Sequence, residues 1–213
     1  MVQVRRISVV CALLGFALAP IMALAQDGSS KAPKITPAVK ADFQNWLVDV
    51  RAEARDKGIS ERVISSALSK LEPVARILER DRKQSEYTIT LSKYRKRVIT
   101  PNNIRVGLAK QKRHSNILNQ VAERYGVQPR FIVALWGIET DFGRIDGGFP
   151  VIQSLATLAI DGRRSKFFRG QLVRALRILD EGHITLDRMR GSWAGAMGHF
   201  QFMPSSFENF AVD

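Results

Sequence analysis

Glu139 stands in the stretch Trp136-Gly137-Ile138-Glu139-Thr140-Asp141-Phe142-Gly143, near the end of an apolar run that Pro129 opens. Ile132, Leu135, Trp136 and Glu139 fall at i, i+3, i+4 and i+7, so a helix there points the carboxyl the same way as core-facing side chains. The residue also belongs to the last helical turn, where the macrodipole is negative. Partial burial and the dipole both disfavour the carboxylate and are expected to raise its pKa. A carboxyl that keeps its proton near neutral pH can give it to a leaving oxygen, which is the work of a general acid. By position alone, the more ordinary reading is a boundary glutamate paired with an arginine, since perturbed carboxylates often serve structure. Asp141, two residues on, would face away from Glu139 in a helix. It makes a poor second member of a two-carboxylate glycosidase pair and reads better as a solvated or capping acid.

A second stretch, Gly191-Ser192-Trp193-Ala194-Gly195-Ala196-Met197-Gly198, is dense in small residues. Small residues let backbone approach a ligand or another helix closely, and both readings stay open here. Ser192 and Gln201 can donate and accept hydrogen bonds, which suits sugar hydroxyls and N-acetyl groups. Trp193 offers an apolar face to a pyranose ring or is ordinary core. Arg163 and Arg164 follow the turn-forming Asp161-Gly162. An arginine there binds a carboxylate in bidentate fashion or is a solvated surface cation. Tyr94 lies in Lys93-Tyr94-Arg95-Lys96-Arg97, either a solvated face or the basic, aromatic wall of a cleft. His199 has no histidine or carboxylate at metal-ligand spacing and reads as non-catalytic.

The elements that must hold these residues read as helices. Phe43, Trp46, Leu47 and Val50 form one face of a helix that stops near Gly58. Ser60 can cap a second helix carrying Val63, Ile64 and Leu68. Thr100-Pro101 has the form of an N-cap followed by proline at the first helical position. That helix is expected to continue through Ile117, Leu118, Val121 and Tyr125 to Gly126. Another opens at Pro129, carries Phe131 to Phe142 and stops at Gly143. A further one spans Phe167 to Leu179, and Pro204 can open a short one. Convincing alternation is scarce, so the fold class expected is mainly α, without a large sheet.

The chain has 213 residues, with 33 Lys+Arg against 20 Asp+Glu and a net charge of +13. That length suffices for one domain with a core. The charge favours an anionic partner: nucleic acid, anionic lipid or cell-wall polymer. Residues 1–25 have the form of a signal peptide, with Arg5 and Arg6, an apolar run from Ile7 to Leu24, and the small-x-small site Ala23-Leu24-Ala25. An uncleaved anchor is the competing reading, against which Pro20 and the cleavage pattern argue. The single cysteine, Cys11, would leave with that segment, so no intrachain disulfide or thiol metal site is expected. Export, and the lack of a basic recognition-helix motif, argue against nucleic acid. Residues 26–37 read as a flexible linker and residues 38–213 as the domain.

The motifs VITPNN (98–103), RYGVQP (124–129), WGIETDFG (136–143) and above all GSWAGAMGHFQFMPSSFENFAVD (191–213) resemble the family of membrane-bound lytic murein transglycosylase B. The resemblance covers most of the chain after residue 40. It implies a lysozyme-like helical catalytic domain in the periplasm, acting on peptidoglycan strands, with the membrane surface nearby. It implies Glu139 as acid and base in cleaving the bond between N-acetylmuramic acid and N-acetylglucosamine, with a 1,6-anhydromuramyl end as product. Carried over by motif position, Ser192, Gln201, Tyr94 and the pair Arg163 and Arg164 contact substrate. No cofactor or metal site is expected within the chain. The family continues with an acidic calcium loop and further cleft aromatics, so the resemblance also marks the domain as incomplete at its C-terminus, and weak activity or none is expected of these residues alone. A hydrolytic muramidase and an inactive peptidoglycan-binding fragment are the alternatives.

Overall fold

The computed structural model describes residues 34–83, 90–162 and 164–212. The signal-type segment and Arg163 lie outside them. Among the described residues the fold is mainly α, as expected: ten helices and one pair of two-residue strands.

The N-terminal helices follow their punctuation. In α1 (Pro37–Asp56), Thr36 caps the N-terminus by accepting from the Val39 amide, and Phe43, Leu47, Val50 and Ala54 are buried. Gly58 ends the segment with φ +79°, a conformation that costs glycine nothing. Ser60 caps α2 (Glu61–Leu68), which buries Val63, Ile64, Ala67 and Leu68. α3 (Ala75–Arg82) follows, with Ile77 and Leu78 buried.

The centre is α8 (Val151–Ile160), where eight of the ten residues are buried. α9 (Ser165–Asp180) packs along it, and α1 and α2 pack on α9. α3 lies on α8, and the short α10 (Pro204–Phe210) lies on α9. Polar links also hold this half. The Asp180 carboxylate accepts from the Ser60 amide and hydroxyl. Arg82 pairs with the buried Asp161 at 2.8 Å. Gln171, 5% exposed, donates to the Ser205 hydroxyl and accepts from the Ser205 amide, both at 2.9 Å. The second link of Gln171 thereby satisfies a first-turn N–H of α10.

The remaining helices build around a second, smaller apolar cluster. α4 (Leu91–Val98) buries nothing. α5 (Pro101–Arg113) begins at the expected Thr100 cap, where the threonine hydroxyl accepts from the Asn103 amide at 3.1 Å. The helix does not run on to Tyr125: it breaks at His114, and α6 (Ser115–Tyr125) starts anew before its left-handed Gly126 cap. The break changes the face presented. Leu118 is buried, whereas Ile117 is 60% and Tyr125 46% exposed. α7 (Pro129–Thr140) packs on both α5 and α6. Leu118, Val133 and Phe142 form the buried centre of this cluster, with Val106, Ile132 and Trp136 around it.

The strands β1 (Phe149–Pro150) and β2 (Arg190–Gly191) pair antiparallel, with Phe149 opposite Gly191. They bring the chain after α7 beside the small-residue stretch. No helix among the described residues is long and apolar enough to cross a membrane.

Candidate active site

The end of α7 is shaped by a run of three left-handed residues: Asp141 (φ +51°), Phe142 (φ +59°) and Gly143 (φ +82°). For the first two this costs about 1–2 kcal/mol each. Burying a phenylalanine ring returns about 1.5–3 kcal/mol, and Phe142 is only 6% exposed. The turn folds that ring back under the helix, where a Cβ on Gly137 would sit 2.7 Å from Phe142 Cζ. Helical carbonyls left over at the terminus are used: Asp141 N–H donates to Gly137 O, Phe142 N–H to Trp136 O and Ile145 N–H to Thr140 O.

The inward face of α7 is therefore Val133 and Thr140, which are buried, with Trp136 and Gly137 half-buried beside them; of the face expected, Leu135 and Glu139 point elsewhere. Leu135 is 53% exposed, and Glu139 is exposed. The expected burial of Glu139 does not hold. The helix is apolar on almost every side, so two stripes at helical spacing competed, and the ring of Phe142 decided between them. The helix also ends at Thr140 rather than Phe142, which keeps Glu139 in its last turn. Asp141 serves as the C-cap residue, and Arg144 holds its carboxylate at 2.5 Å.

The segment 191–202 folds as a tight, strand-like loop. Gly191 bridges Met197 and Met197 bridges Phe202. The Ser192 hydroxyl accepts from the Ala196 amide at 3.1 Å, which leaves its proton for a ligand. Gln201 takes φ +50°, and its Nε2 donates to Gly198 O at 3.0 Å, which leaves its carbonyl oxygen as an acceptor. Small residues here serve packing: a Cβ on Gly191 would meet Ala196 O at 2.0 Å, and one on Gly195 would meet Leu155 of α8 at 2.3 Å. Trp193 packs against the main core. That packing does not exclude the ligand reading of Ser192 and Gln201, which keep hydrogen-bonding capacity.

Loop and helix end are joined at two points. The Thr140 hydroxyl donates to His199 O at 2.8 Å. The His199 ring stacks on Trp136 at 5.5 Å and 19°. His199, read from sequence as non-catalytic, thus has a packing role that spacing did not reveal. Glu139, Ser192 and Gln201 lie on these two joined segments. A cleft of about 710 Å³ opens beside the Gly143 turn and the loop, lined in part by Gly143, His199, Asp146, Asp187, Arg188 and Arg190 but not by Glu139, Ser192 or Gln201. Sequence patterns had not singled out its charged residues.

Tyr94 is 44% exposed on α4, among cations that are exposed like itself. The solvated-face reading of that run fits this part of the molecule. The end of α4 reaches α7 through Val98 and Ile99, which line a groove with Val133 and Ile138. Arg164 lies at the start of α9, with its guanidinium 4.7 Å and 5.0 Å from the rings of Phe167 and Phe168. None of these contacts of Arg164 involves α7. Among the described residues no cluster of three His, Cys, Asp or Glu is placed to hold a metal ion.

A model of the transglycosylase SLT domain matches residues 42–213. The chain belongs to this family. The SLT domain is similar to SltB3 of Pseudomonas aeruginosa, solved with NAG-NAM-pentapeptide: TM-score 0.77, 40% identity, covering 80% of this chain and 46% of that one. SltB3 was also solved with NAG-anhNAM-pentapeptide. The Escherichia coli lytic transglycosylase Slt35 in complex with bulgecin A aligns with TM-score 0.70 and 31% identity, over 82% of this chain and 55% of its own. Membrane-bound lytic murein transglycosylase B of E. coli is 39% identical over 122 residues, 57% of this chain and 34% of that protein. The SLT domain described here spans about half the length of these solved relatives, and its fold is the lysozyme-like helical one expected.

Proposed function

We propose that this SLT domain is a lytic transglycosylase of peptidoglycan, with Glu139 as its acid and base. The observation that carries the reading is the placement of Glu139: a solvent-accessible carboxyl in the last turn of α7, beside the loop that holds Ser192 and Gln201. Glu139 protonates the glycosidic oxygen between N-acetylmuramic acid and N-acetylglucosamine as the bond to C1 breaks. The resulting carboxylate takes the proton of the muramyl 6-hydroxyl, and that oxygen bonds to C1. The product is a 1,6-anhydromuramyl end, and no water is consumed. A single carboxyl suffices, in keeping with Asp141 being held by Arg144. The SltB3 complex with NAG-anhNAM-pentapeptide supports this choice of product.

Ser192 and Gln201 bind sugar hydroxyls and N-acetyl groups with the proton and the carbonyl oxygen they keep free. Tyr94 and the pair Arg163 and Arg164 contact substrate as well, the arginines through lactyl or peptide carboxylates of the muramyl groups. Segment 1–25 directs export, so the domain works in the periplasm, near the membrane, on an anionic polymer that the chain's net charge favours, +13 in full and +11 once Arg5 and Arg6 leave with the segment.

A second reading, in which the chain holds peptidoglycan without cutting it, is favoured by the absence at Glu139 of the burial that a general acid was expected to have. Mass spectrometry of muropeptides, after incubation of purified peptidoglycan with the wild type and with Glu139→Gln, separates the two. Anhydromuropeptides are expected from the wild type, and at least about 100-fold less from the variant. Reducing ends instead would make the domain a hydrolase. Cosedimentation with peptidoglycan without any product would establish the second reading.

A further inference from the structure

Thr140 is 1% exposed, among the most buried polar side chains of the protein, and it follows Glu139 directly. Its hydroxyl has two partners from different segments. It accepts from the Gly143 amide at 3.1 Å, within the left-handed turn. It donates toward His199 O at 2.8 Å, a shorter contact than the 3.3 Å to Trp136 O in its own helix. A hydroxyl has one proton to give, so the shorter contact with the loop takes it. The His199 ring, stacked on Trp136, also covers the Gly143 backbone, where a Cβ would lie 2.8 Å from His199 Nε2. The two α7 residues that touch the loop, Trp136 and Thr140, therefore bracket Glu139 at i−3 and i+1.

We propose that Thr140 is a positioning residue, whose hydroxyl fixes the turn carrying Glu139 against the loop of Ser192 and Gln201. It touches no substrate. It sets the distance between the proton-transferring carboxyl and the groups that orient the sugar, a distance to which proton transfer is sensitive. The inference rests on the reading of Glu139 as acid and base.

The test compares Thr140→Val, which keeps the shape and removes the hydroxyl, with Thr140→Ser, which keeps the hydroxyl. Release of anhydromuropeptides is expected to fall about 10- to 100-fold in kcat for T140V, with KM changed less than about threefold. T140S is expected to return kcat to within about threefold of wild type. Amide hydrogen exchange gives a readout independent of turnover. The Gly143 amide and the 195–202 segment are expected to exchange at least about tenfold faster in T140V than in wild type and T140S. Equal kcat in a folded T140V, or equal exchange in all three, overturns the proposal. If the wild type itself releases no product, the proposed function fails, and the exchange data alone decide the role of Thr140. If T140V does not fold, His199→Ala, which removes the stack and leaves both hydroxyl bonds, replaces it in comparison with T140S. Unchanged protection at Gly143 in H199A then supports the hydroxyl as the pin, and its loss assigns the coupling to the stack and overturns the proposal.

Discussion

Gly137 has no side chain because the ring of Phe142 occupies the place one would take: a Cβ would come within 2.7 Å of Cζ and 2.9 Å of Cε1. The ring is itself wedged between Gly137 and Gly107, so it has little room to retreat. Gly137→Ala gains helix propensity of just under about 1 kcal/mol, but overpacking costs about 1–3 kcal/mol. A net loss of stability is expected, read as a lower urea midpoint with unchanged slope; a midpoint at or above wild type would contradict the wedge. Glu139→Gln makes a useful contrast, because an exposed side chain with no packing role should leave the same midpoint within about 0.5 kcal/mol while abolishing product. At this scale motif and residue type singled out Glu139, Ser192 and Gln201 as candidates. Neither singled out Gly137, Thr140 or His199. Their roles depend on contacts made across 5 to 63 positions, for which local spacing carries no signal.

Helix boundaries were legible where a side chain closes an end. Ser60 and Thr100 accept from first-turn amides, and Gly58 and Gly126 turn left-handed, as their types require; the Thr36 cap and Pro37, by contrast, fell in the stretch read as linker, and α1 begins there. The helix α8 was not legible, because it is buried on nearly all sides and shows no amphipathic period. The break at His114 carries no proline or glycine to mark it. Ser60 does more than cap: its hydroxyl, bonded to Asp180, holds that carboxyl below its ordinary value near 3.8, against the opposing effect of desolvation. A depressed folded pKa means stabilisation that is complete above the ordinary value and lost as pH falls through the folded one. Asp180→Asn should therefore flatten the acid limb of the stability curve between about pH 5 and pH 2. Urea midpoints measured across that range should converge for variant and wild type at the acid end. Parallel curves would mean that the Ser60 contact is not coupled to folding.

At the scale of the molecule, the described residues form two apolar clusters of unequal size: a large one around α8 and α9, and a small one centred on Leu118, Val133 and Phe142. Free energy of opening follows buried apolar contact, so amides of α5, α6 and α7 are expected to exchange through smaller openings than those of α8 and α9. Native-state hydrogen exchange in rising urea would reveal the order, and a single common opening for both would show the clusters to be one cooperative unit. The proposed acid thus rides on the less stable part, pinned by a loop that belongs to the more stable one. The large cluster has its own peculiarity, since α1 and α2 lean on α9 and Ser60 meets Asp180 at a separation of 120 residues. At about 5–20 residues per second of synthesis, the first helices leave the ribosome on the order of ten seconds before the surface that covers them exists. For that interval the apolar faces of α1 and α2, with Phe43, Leu47, Val63 and Ile64, lack the helix α9 on which they pack in the finished fold.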